Sequence, residues 1–166
     1  MNDLAGRLRD AGTALLGLRG TLVAGEPWPL SAAYGTEPEA DWGPREVLAL
    51  VAEMLAYWPR ELERVLAGDP ATAVPFGRIS TNPARIDAIA VGRERSTGVL
   101  LDEIDTVLAP AIAFLDGLTP ADLEREGAHP TRGAITVETG VETFLTGHLE
   151  GHVDQMRDIL ARSVPA

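Results

Sequence analysis

Two histidines four residues apart, His148 and His152 in the stretch FLTGHLEGHVDQM, are the side chains of this sequence best placed for chemistry. At about 100° per residue, Val141, Leu145, His148, Leu149, His152, Met156 and Ile159 share one side of a helix, while Glu150, Asp154 and Arg157 take the other. The pattern turns both imidazoles inward. An unpartnered imidazole in an apolar interior forfeits hydrogen bonds worth about 1–3 kcal/mol, so two side by side call for partners. Histidines at i and i+4 can ligate one divalent ion, but a catalytic zinc site normally takes three protein ligands, so the pair alone is not a site. A buried pair hydrogen-bonded to neighbouring side chains or water fits the same pattern, and spacing leaves both readings open. Gln155 borders the histidine row, within reach of His152 or of a ligand.

Other chemistries find little support. There is no cysteine, so thiolate ligands and a cysteine nucleophile are excluded, and any thiol must arrive with the substrate. No Gly-rich phosphate loop or serine elbow is present. With 14 basic against 25 acidic residues the net charge is −11, which repels phosphate backbones and anionic lipid heads and argues against nucleic-acid and membrane partners. No stretch approaches the roughly 18 apolar residues of a membrane span, and MNDLAGRLRD lacks the order of a signal peptide, so a cytoplasmic soluble protein is expected.

The elements that must position the histidines are helices. Length and a hydrophobic share of 45% fit a single domain over residues 1–166. Helical period, without sustained period-two alternation, predicts an all-α bundle. A first helix runs from about Asp3 to Ala24. A second opens at Pro44 and reaches Leu66, with Pro59 expected to kink it. A short helix starts near Pro83, and Ser96 or Thr97 caps a longer one to Leu115, bent at Pro110. A turn of helix at TPADLERE, the loop GAHPTRGAI, and a last helix from Thr136 to about Arg162 complete the chain. The long connections GEPWPLSAAYGTEPEAD and GDPATAVPFGRISTN are of a length that is often functional. Their Trp28, Tyr34 and Phe76 either cover an opening or plug the bundle ends.

WGPREVLALVAEM followed, almost a hundred residues later, by FLTGHLEGHVDQM resembles the two signature helices of the DinB/YfiT-like putative metalloenzymes. The resemblance covers nearly the whole chain in order and length. It implies a four-helix bundle with long connecting loops, often a homodimer, and a zinc or nickel ion held between a histidine of the second helix and two ligands one turn apart on the last. His148 and His152 match that last pair. Leu50 stands where the family has its first histidine, and leucine cannot bind metal. On the helical wheel Leu50 lies at the edge of the stripe of Val47, Val51, Met54 and Trp58, with Glu46, Glu53 and Tyr57 close by. Glu53 or Glu46 could replace the missing ligand, although glutamates at such a border are commonly solvated. His129 is a weaker substitute, because it precedes a helix in which His148 lies about twelve residues, roughly 18 Å, inside.

The resulting expectation is a pocket around His148, His152, Leu50, Glu53, Met54, Tyr57 and Gln155. The resemblance implies a transferase or isomerase assisted by a low-molecular-weight thiol, with both histidines as metal ligands and Glu53 as third ligand or base. The alternative is a metal-free bundle that binds a small apolar ligand or dimerises without catalysis.

Overall fold

The computed structural model describes residues 3–32 and 39–163. Tyr34 falls outside them. The chain is mostly helical, and the helices form where period and capping place them. The first predicted helix divides into α1 (Leu4–Leu16) and α2 (Arg19–Ala24). The division falls at Gly17, whose N–H bonds the Thr13 carbonyl, while Leu18 bonds Leu15 and tightens the turn. Leu4, Leu8, Leu15 and Leu22 stay buried across it.

α3 (Pro44–Ala67) begins with proline in its first turn and continues through Pro59. It is the central element, burying Val47, Leu48, Leu50, Val51, Met54, Leu55, Leu62 and Val65 against α4 (Pro83–Gly92), α5 (Thr97–Asp116) and α8 (Gly147–Ser163). Each such aliphatic side chain contributes about 1.5–3 kcal/mol of burial, so α3 anchors the core. Asn82 caps α4 (Pro83–Gly92) and Ser96 caps α5 (Thr97–Asp116), each through a side-chain oxygen on a first-turn N–H. Thr119 and Asp122 form a reciprocal capping box on α6 (Pro120–Leu123).

The expected loop GAHPTRGAI is instead a hairpin. Strand β1 (Val74–Pro75) lies parallel to β2 (Glu126–His129), which pairs antiparallel with β3 (Gly133–Thr136), Glu126 opposite Thr136 and His129 opposite Gly133. An all-α reading therefore holds only for the bulk of the chain. These strands are two to four residues long and rich in glycine and alanine, so no alternation marked them. Gly133 closes the hairpin at φ +70°, a conformation that costs glycine little.

Thr136 caps α7 (Val137–Val141), which passes through a π-helical turn (Glu142–Thr146) into α8 (Gly147–Ser163). The Gly147 N–H reaches the Glu142 carbonyl, and a Cβ at 147 would sit 2.4 Å from that oxygen, so the wide turn requires glycine here. Arg7 of α1 fastens the turn by bonding Glu142 and Glu150 at 2.6–2.9 Å. No helix among the described residues is long and apolar enough to cross a membrane.

Candidate metal centre

The histidines sit in the first turns of α8, directly after the π turn, a feature that recurs at functional sites. His152 is buried and His148 half-buried, and their rings lie 4.5 Å apart between centroids. Both face inward, as the stripe predicts.

A carboxylate joins them from outside the predicted set. Glu39 occupies a 3₁₀ turn (Glu39–Asp41) at the end of the first long connection. Glu39, His148 and His152 each offer one ligand atom, and these atoms lie within 4.8 Å of one another. Ligands at about 2.0–2.1 Å from a tetrahedral ion stand about 3.4 Å apart, so the three would draw together by up to about 1.4 Å to share one. Two imidazoles and a carboxylate are an accepted donor set for a divalent ion.

The connection that delivers Glu39 is tied down at several of its described residues. Glu26 accepts the N–H groups of Thr97 at 2.6 Å and Trp28 at 2.9 Å and pairs with Arg45. Burial alone would raise the Glu26 carboxyl, but those donors outweigh it and hold the group down at about 2. Glu46, fully buried, accepts the Ser31 N–H and bonds Arg93, which also holds the Ser31 carbonyl. The Glu39 carboxylate pairs with Arg85 at 2.6 Å, and Arg85 also donates to the Ser80 carbonyl.

Gln155 links the two halves of the cluster and sets the protonation of His152. Its Nε2 donates to the Glu39 carbonyl at 2.8 Å, and a carbonyl can only accept, so its Oε1 faces the His152 Nδ1 at 2.8 Å. Nδ1 must then carry the proton. Nε2 is left with its lone pair, buried and without a hydrogen-bond partner among the described residues. Burial lowers the His152 pKa, and burial together with His152 pushes His148 down to about 4. Both rings are neutral at pH 7, the state in which imidazole ligates metal.

A cavity of about 310 Å³ opens beside the cluster. Leu50 and Met54 line it with His148, whereas His152, Tyr57 and Gln155 of the expected pocket do not, and Trp58 and Phe144, stacked at 4.4 Å, form an aromatic wall. Glu53 also lines it, but one carboxylate oxygen is held by Arg78, whose guanidinium lies 3.7 Å over the Tyr57 ring. The other, Glu53 Oε2, is buried without a hydrogen-bond partner among the described residues. Burial, then Glu61, raises the Tyr57 hydroxyl to about 12. Glu46 is engaged with Ser31 and Arg93, and His129 stacks on Phe144 at 4.7 Å; neither belongs to the three-donor group. Trp28 donates to the Leu22 carbonyl and Phe76 packs in the core, and neither lines this cavity.

Glu39 escaped the sequence reading because it is remote from the histidines along the chain and lies on no periodic element. The one signal available was the unusual length of its connection. No family model, curated protein or solved structure matches this chain.

Proposed function

We propose that this chain is a DinB-like protein in which α1, α3, α5 and α8 make a four-helix bundle around a divalent-ion site formed by Glu39, His148 and His152. The observation that carries the reading is the buried Nε2 of His152, which has no hydrogen-bond partner among the described residues, in a residue that groups with Glu39 and His148, one ligand atom of each lying within 4.8 Å of the others. Glu39 takes the part that Leu50 cannot play. Zinc or nickel held there supplies Lewis acidity, lowering the pKa of a thiol or water in the site.

The chain's own residues do the rest. Gln155 keeps His152 in the ligating tautomer, and Arg85 holds the Glu39 carboxylate in place. Leu50, Met54, Trp58 and Phe144 exclude water from one side of the cavity. Glu53, with one oxygen anchored by Arg78 and the other without a partner among the described residues, serves as the base there. The reaction read from this arrangement is a transfer or isomerisation assisted by a low-molecular-weight thiol, which the chain, having no cysteine, does not itself supply. A cytoplasmic homodimer belongs to the same reading.

A metal-free ligand-binding bundle is the second reading. The 2.6 Å Glu39–Arg85 pair favours it, since it gives the carboxylate a partner without an ion. Cobalt substitution separates the two. Under the enzyme reading, cobalt binds and adding 2-mercaptoethanol raises a thiolate-to-cobalt absorption band that His152→Ala abolishes. Cobalt binding without a thiol band removes the thiol chemistry, and no cobalt binding leaves the metal-free reading.

A further inference from the structure

The wall of the cavity carries a charge opposite to that of the protein. Three arginines line it, Arg78, Arg85 and Arg132, against two carboxylates, Glu39 and Glu53, in a chain of net charge −11. The carboxylates are matched: Arg78 pairs with Glu53 and Arg85 with Glu39. Arg132 is left over. It makes no ion pair among the described residues, and it stands at the tip of the β2–β3 hairpin with its guanidinium 5.4 Å over the Phe144 ring. Phe144 in turn stacks on Trp58.

One end of the cavity thus presents a planar cation, without an ion-pair partner among the described residues, above an aromatic wall. Guanidinium offers paired N–H donors in the geometry of a carboxylate, and an apolar wall next to it weakens the competition from water. Among the described residues the surplus on the wall is one positive charge, which a monoanion cancels and a phosphate dianion overshoots. At about 310 Å³ the cavity is at the small end of small-molecule sites.

We infer that the cavity takes a small aromatic or apolar carboxylic acid, its carboxylate on Arg132 and its apolar body against Trp58 and Phe144. The inference rests on the reading above only for the place of the site; the ion is not needed to hold the acid. Arg132 selects for charge, and the aromatic wall selects for shape.

Benzoate and its neutral isostere benzamide are the probes, titrated by NMR chemical-shift perturbation against protein stripped with chelator and against the zinc-loaded protein. Stripped wild type is expected to bind benzoate at least tenfold more tightly than benzamide, with shifts at Trp58 and Phe144. Arg132→Gln, at an exposed position, should keep the fold and lose that tenfold preference. Equal affinity for the two probes, a preference that survives Arg132→Gln, or no benzoate binding by about 10 mM overturns the inference. Tighter binding of phenyl phosphate than of benzoate overturns the choice of carboxylate. Benzoate binding that needs zinc and ignores Arg132→Gln also overturns it, while sustaining the metal reading, because the ion would then be what holds the acid.

Discussion

Acid should destabilise the metal-free protein in the range where histidine titrates, and His148 should account for a measurable part of the loss. Its pKa falls from 6.5 to about 4 because burial and the neighbouring His152 disfavour the charged ring. Below pH 6.5 the unfolded chain takes up a proton that the folded chain refuses, so stability drops as pH falls and levels off only near 4. Between pH 7.5 and 5 a single group with these two pKa values lowers the unfolding free energy by about 2 kcal/mol. His148→Leu removes the titrating group and keeps an apolar side chain at a half-buried position. Urea unfolding with chelator present, at pH 7.5, 6.5, 5.5 and 5, should show the variant losing about 2 kcal/mol less than wild type across the range. His152 and His129, also shifted down, give wild type a slope that the variant retains in part. Parallel curves for the two proteins would refute the reasoning, whatever their offset, since only the slope reports the proton.

Three further substitutions probe the frame of the site. Glu26→Gln should lower stability at pH 7 by up to about 3 kcal/mol, the linkage value of a carboxyl held at about 2 instead of 4.5. It should also flatten the loss that wild type shows as pH falls from 4.5 towards 2, both read from urea unfolding. Glu53→Leu leaves the buried Arg78 guanidinium without its partner and should destabilise by about 3–5 kcal/mol, while zinc affinity of the folded protein stays within twofold or so in a chelator competition. Gln155→Leu removes the group that fixes the His152 tautomer and should weaken zinc about 10–100-fold in the same assay without unfolding the protein.

The helices were legible because their signals are local: apolar residues at helical spacing, Pro44 in a first turn, and side-chain caps at Ser96, Thr119 and Thr136. The inward direction of His148 and His152 was legible for the same reason. The hairpin was not, since EGAH and GAIT carry no alternation and their pairing is fixed by tertiary contact. Nor was the partner of Glu53, because nothing near position 53 announces that Arg78 will fold over Tyr57 and reach it. Glu39 shows the limit most plainly. Its place beside the histidines depends on Glu26, Glu46, Arg93 and Arg85 anchoring an irregular connection at separate points, a set of long-range bonds with no periodic trace.

The central claim is that Glu39, His148 and His152 hold one divalent ion. Zinc calorimetry on protein made without a histidine tag, comparing wild type with Glu39→Gln and His152→Ala, tests it most directly. The account predicts one zinc per chain in wild type, weakened at least tenfold by Glu39→Gln and lost in His152→Ala, with all three proteins folded by circular dichroism. Absence of zinc binding in wild type, or wild-type affinity in Glu39→Gln, would contradict it.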